Sequence, residues 1–228
     1  MTKLHPDYLD ATKDARQIVI DPIQSHMECT ENKSLPSAVI ITGRERLLDT
    51  FFKVDRLTFS YERFDGTMSE PCSRLVLERG DAVAALLYDP ERRKVITIKQ
   101  FRAPVYGKGD GWIIEAVAGI IDEGESPQEA LTRELAEETG YRAKTVEPIC
   151  IFYPSPGGCS EKIYLYYAEV SAAAKLEAQP EAGEDIQIVE FDLEDFLNSL
   201  RCGCAIQDSK LAMAGYWLMA RVAEGTIR

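Results

Sequence analysis

Residues Gly119 to Tyr141 read GIIDEGESPQEALTRELAEETGY. Ser126 is a good N-cap, Pro127 suits the first helical position, and Glu129 completes a capping box. Gly140 suits the left-handed position that ends a helix. Leu131 and Leu135, with Ala136 alongside, form an apolar stripe to bury. The spacing predicts a helix from about Ser126 to Thr139.

The other face of that helix is acidic. Glu134 and Glu138 stand four apart with Glu137 between them, and Arg133 is placed to pair with Glu137. Three clustered carboxylates repel one another unless something compensates. A hard divalent cation does so, because it takes oxygen ligands and shares substrate phosphates. Taken alone, such a cluster is more often a solvated face of a surface helix.

Outward from the helix, the chain alternates short apolar runs with turn signals. Ala38 to Thr42 and Phe51 to Phe64 read as strands, the second half exposed, and Asp65-Gly66 as a turn. Ser73 to Glu78, Ala82 to Tyr88 and Lys94 to Phe101 follow, with Asp89-Pro90-Glu91 between the last two. Trp112 to Ala118 is one further apolar run. Pro148 to Tyr153, Lys162 to Val170 and Ile186 to Phe191 read as strands. Asp192 to Leu200 and Asp208 to Val222 read as helices. The expectation is an α+β chain with a mixed sheet and few helices. Its parts are an extension over residues 1–37 of no assigned role, an N-terminal antiparallel strand module over residues 38–80, and a main domain over residues 81–228.

Composition narrows the chemistry. The 228 residues carry a formal charge of −12 and show no basic run, which argues against a nucleic-acid partner. An acidic protein that binds an anion must neutralise charge locally, with arginines or a cation. No run approaches 18 apolar residues, and Met1 to Pro6 lacks the layout of a secretory signal, so the cytoplasm is the default expectation. Cys29, Cys72, Cys150, Cys159, Cys202 and Cys204 lack zinc-site spacing and read as reduced thiols. The only histidines are His5 and His26. Acid–base work therefore falls to carboxylates, lysines or tyrosines.

The wider spacing around the helix is specific. Gly119, five residues, Glu125, seven residues, then Arg133-Glu134-Leu135, Glu137-Glu138 and Gly140 complete one pattern. A chance match somewhere in this chain is on the order of one in a million or rarer. The pattern is the Nudix box, and the chain resembles the Nudix hydrolases. Tyr141 departs from the usual aliphatic residue at the last, packing position. Gln100-Phe101-Arg102, Glu115 to Gly119 and Ser155 to Glu161, with Pro156 about fifteen residues past the box, are similar to the branch that includes ADP-ribose pyrophosphatase and GDP-mannose hydrolase.

That resemblance implies an α/β/α sandwich and the cleavage of a nucleoside diphosphate sugar to a nucleoside monophosphate and a sugar phosphate. It implies magnesium or manganese, held by Glu134, Glu138, the carbonyl of Ala118 and Glu184. The catalytic carboxylates are then Glu134, Glu137 and Glu138, with Glu181 or Glu184 as general base; Ala182 stands where the family often has a second glutamate. Arg102 and Glu161 would contact substrate. Arg79 would reach a partner's site in a homodimer joined through the N-terminal strands. Gly119, Glu125, Arg133 and Gly140 would serve the box structurally. Two rivals stand beside this: a Nudix domain that only senses a nucleotide sugar, and a nucleoside triphosphate or dinucleoside polyphosphate pyrophosphohydrolase.

Overall fold

A computed structural model describes Pro36 and residues 38–179, 185–203 and 206–227. The contacts divide into two compact units. One comprises residues 60–71 with the described residues up to Ile40, and the other comprises residues 41–59 and 72 onward. In the first, the Ala38 N–H donates to Glu62 Oε2 at 3.3 Å, and the turn at Asp65-Gly66 is closed by Thr67 N–H and Oγ1 donating to Asp65 Oδ1.

Three N-terminal strands form a sheet in chain order: β1 (Val39–Asp49), β2 (Lys53–Tyr61) and β3 (Cys72–Glu78). β2 and β3 are antiparallel. β1 runs well past the Thr42 expected from its apolar start. The continuation is charged because Arg44 and Arg46 both pair with Asp55 of β2, which is fully buried. Burial pushes the Asp55 carboxyl up, but hydrogen bonds from Arg46 and Arg44 outweigh it and hold the group below its ordinary value.

Among the described residues the main sheet has seven strands. Its path is β10 (Gln187–Asp192), β5 (Lys94–Phe101), β4 (Ala82–Asp89), β9 (Ile163–Glu169) and β8 (Thr145–Phe152). β4 and β9 are parallel, and the other pairs are antiparallel. β6 (Trp112–Glu115) pairs with β5, and β7 (Val117–Ile120) pairs with β4. The apolar run read as one strand is thus two, with Ala116 between them.

All eight residues of β4 are buried, as a strand covered on both faces requires. Val83, Ala85 and Leu87 pack with Leu131 of the box helix, α1 (Pro127–Glu134), and with Leu135 and Tyr141 beyond its end. Ala82, Ala84, Leu86 and Tyr88 face α2 (Leu193–Cys202) and α3 (Ser209–Ala223) through Leu193, Phe196, Leu211 and Leu218. The architecture is the expected α/β/α sandwich of an α+β chain with a mixed sheet. No helix among the described residues is long and apolar enough to cross a membrane.

Candidate active site

The box helix begins as its sequence implies. Ser126 Oγ accepts the Glu129 N–H, and Glu129 Oε2 accepts the Ser126 N–H at 2.8 Å. Its end differs from the expected plain helix. Leu135 to Thr139 forms a π-turn, and Gly140 then takes φ 71°. π-turns within helices recur at functional sites, since they break the regular spacing of side chains and carbonyls. Here the Glu137 carbonyl accepts Gln179 N–H at 2.9 Å, and the Gly140 carbonyl accepts Leu176 N–H at 2.9 Å. Both bonds fasten the segment that precedes Glu181 and Glu184 in the chain. Glu181 and Glu184 themselves lie outside the described residues.

Arg133 organises the carboxylates. Its guanidinium bonds both oxygens of Glu125, at 3.1 and 3.0 Å, and the Ile120 carbonyl at 3.0 Å. It also reaches Glu134 Oε1 at 2.6 Å and Glu137 Oε2 at 3.2 Å. The hydrogen bond to Glu125, followed by the bond and charge of Glu134, raises the Arg133 pKa although burial opposes this. In return Arg133 holds the Glu125 carboxyl below its ordinary value. Two negative charges of the helix face are therefore partly neutralised by one buried-edge cation.

β7 forms the floor. Glu138 is 4% exposed, and its Oε2 accepts the Ala118 N–H at 3.3 Å. Glu134 lies over Gly119 so closely that a Cβ there would fall 1.8 Å from its Oε1. Gly119 is thus the cradle for a carboxylate. Glu134 and Glu138 are thus brought together over the Ala118–Gly119 backbone, and their carboxylates are oxygen donors of the type a hard cation takes. Among the described residues no third metal-binding side chain joins them.

Two further pairs flank this floor. Arg102 sits on Glu115, with Nε at 3.1 and 3.0 Å from the two carboxylate oxygens and Nη2 at 2.6 Å from Oε2. Gln100 also donates to Glu115 Oε2, at 3.2 Å. The sequence does not single out Glu115 as a site residue, because its link to Arg102 depends on how the intervening segment folds back. Arg79 and Glu161 lie 3.8 Å apart within the one chain. They meet because β3 takes the loop after the box as a neighbour: Leu77 N–H donates to the Gly158 carbonyl, and Ser160 N–H to the Leu77 carbonyl.

A NUDIX domain model matches residues 78–203, more than half of the chain. The chain belongs to the Nudix family. It is 38% identical over 153 residues to the ADP-ribose pyrophosphatase of Escherichia coli K12, covering 66% of this chain and 73% of that one. It is 35% identical over 170 residues to the GDP-mannose pyrophosphatase of Cronobacter sakazakii, covering 73% and 87%. Among solved structures, an ADP compounds hydrolase superposes with a TM-score of 0.63 over 86% of this chain and 98% of that one. At 19% identity that likeness speaks for the fold alone. Nudix hydrolases generally need divalent metal ions, and the Glu134 and Glu138 carboxylates of this member offer the oxygen donors that such an ion takes.

Proposed function

We propose that this Nudix hydrolase cleaves the diphosphate of a nucleoside diphosphate sugar, of the ADP-ribose or GDP-mannose class, to a nucleoside monophosphate and a sugar phosphate. Its reaction class, hydrolysis of phosphorus-containing anhydrides, follows from the family and from the relatives named pyrophosphatases. The observation that carries the reading is the complete box, folded so that Glu134 and Glu138 lie over the Ala118–Gly119 backbone. A non-catalytic sensor is not favoured, since every carboxylate of the box is retained.

Glu134, Glu138, the Ala118 carbonyl and Glu184 would hold magnesium or manganese, which when bound would supply positive charge to the diphosphate and acidity to water. The chain's own groups do the rest. Glu181 or Glu184 takes the proton of the attacking water. Arg102, oriented by Glu115, steadies the phosphate that gains charge as the bridging P–O bond breaks. Glu161 binds the sugar or the attacking water. Glu137 adds negative potential at the rim and, through its carbonyl, anchors the segment before the acidic loop.

The reading extends to a homodimer in the cytoplasm. Ile41, Leu47, Leu48, Phe51 and Leu75 leave exposed apolar surface on and beside the N-terminal strands, where a second copy would bury it and bring Arg79 to its site. Free thiols at Cys72, Cys150, Cys159 and Cys202 fit a reducing compartment.

The test is phosphatase-coupled hydrolysis of ADP-ribose, GDP-mannose, UDP-glucose, diadenosine polyphosphates and nucleoside triphosphates, each with magnesium, manganese or EDTA. Metal-dependent turnover of one diphosphosugar is expected. Tight binding of one compound with no turnover of any would replace this reading with the sensor.

A further inference from the structure

Between β6 and β7 the chain changes partner. Glu115, the last residue of β6, lies opposite Ile98 of β5, and Val117, the first of β7, lies opposite Ala85 of β4. Ala116 is the single residue between them and is 1% exposed. A buried backbone N–H at a crossover needs a partner as much as any other. This one donates to Asp208 Oδ2 at 3.1 Å, 92 residues along the chain.

Asp208 is also the N-cap of α3. The same Oδ2 accepts the Leu211 N–H at 3.2 Å. Its Oδ1 accepts the Lys210 N–H at 3.3 Å and the Lys210 ammonium at 2.8 Å. The side chain is 6% exposed. One carboxylate therefore starts a helix on one side of the sheet and holds a strand crossover within it.

The crossover carries the site. The residue before Ala116 is Glu115, which orients Arg102. Two residues after it, Ala118 donates to Glu138, and next comes Gly119 beneath Glu134. We propose that Asp208 is a positioning residue for the hydrolytic site. Its carboxylate fixes the crossover at Ala116 and so sets the Arg102–Glu115 pair in register with the floor under Glu134 and Glu138. It touches neither substrate nor cation. For its effect on turnover, the proposal rests on the diphosphosugar hydrolase reading.

The competing role is an ordinary helix cap, and two substitutions separate the two. Asp208→Ser supplies a hydroxyl that caps the Leu211 N–H but is too short to reach Ala116 as well. Asp208→Asn keeps the length and can turn its carbonyl oxygen to the Ala116 and Leu211 amides; its NH2 then stands where Oδ1 was, so only the Lys210 N–H and ammonium lose their acceptor. Amide hydrogen exchange at Ala116, followed by NMR without substrate, reads the pin directly. The kcat and KM on the diphosphosugar turned over by the wild type read its consequence.

The Ala116 amide is expected to be protected in the wild type. D208S should melt within about 4 °C of wild type, exchange Ala116 about tenfold faster or more, and lose about tenfold or more in kcat. D208N should return both readouts to within about threefold of wild type. An unprotected Ala116 amide in the wild type overturns the proposal without any variant. So does a D208S protein with native exchange and kcat, or a D208N protein as impaired as D208S. If the wild type turns over no compound, the functional reading fails, while the exchange arm still decides whether Asp208 pins the crossover.

Discussion

Gly119 lies beneath the carboxylate of Glu134, leaving no room for a side chain between them: an added Cβ would fall 1.8 Å from Oε1 and 1.9 Å from Cδ. The obstructing atoms are the far end of a flexible side chain, so the backbone need not move. Gly119→Ala should therefore fold with a melting temperature near that of wild type. The displaced carboxylate should cost about 100-fold in kcat, the scale on which misplacement of about 1 Å is felt. Thermal melting beside steady-state kinetics decides this. A fully active G119A would remove Glu134 from the metal floor.

Glu138 and Glu137 are neighbours with different surroundings. Glu138 is buried against the Ala118 N–H, whereas Glu137 is a third exposed and paired with Arg133. Glu138→Gln should abolish most turnover, beyond the roughly 100-fold that loss of an outer-shell partner costs. Glu137→Gln should lose less. Manganese titration followed by electron paramagnetic resonance checks the cause: E138Q should bind the ion weakly and E137Q nearly as wild type does. Near-normal turnover by E138Q would sink the metal assignment.

Much of this was legible in sequence because it is local. The capping box at Ser126 and Glu129, the left-handed Gly140 and the strand over Ala82 to Tyr88 each follow from residues within one element. What escaped depends on hydrogen bonds that side-chain periodicity does not encode. The π-turn at Leu135 to Thr139 keeps the helical apolar pattern while changing which carbonyls are offered. The run from Trp112 to Ala118 is apolar throughout, so nothing in it marks the change of partner at Ala116. The charged half of β1 is strand only because Arg44 and Arg46 meet Asp55 across the sheet.

Arg133 is a fork that lysine cannot copy. It bonds two oxygens of Glu125, one each of Glu134 and Glu137, and the Ile120 carbonyl. Arg133→Lys keeps the charge but loses the planar, multi-donor geometry. The expected cost is about 1–2 kcal/mol of stability and on the order of tenfold in kcat. Urea unfolding with matched kinetics tests both. An unchanged kcat in a destabilised protein would confine Arg133 to folding.

Tyr141 replaces the usual aliphatic end of the box with a buried ring, 1% exposed. Its hydroxyl donates to Glu190 Oε1 at 3.1 Å and accepts from Arg92 at 3.1 Å. The Arg92 guanidinium also bonds Glu190 twice and the buried Asp89 once. The hydrogen bond from Arg92, and then that from Tyr141, hold the Glu190 carboxyl below its ordinary value near 4.5 despite burial. A carboxylate with a depressed folded pKa adds stability above its unfolded pKa and loses it as pH falls through the folded value. Tyr141→Phe should cost about 1 kcal/mol at pH 7. Glu190→Gln should melt below wild type at pH 7, and the gap should narrow as pH drops below about 4.5. Melting curves across pH 3 to 7 test this. A gap that stays constant through that window would show that the charge of Glu190 adds nothing to the junction between the end of the box and β10.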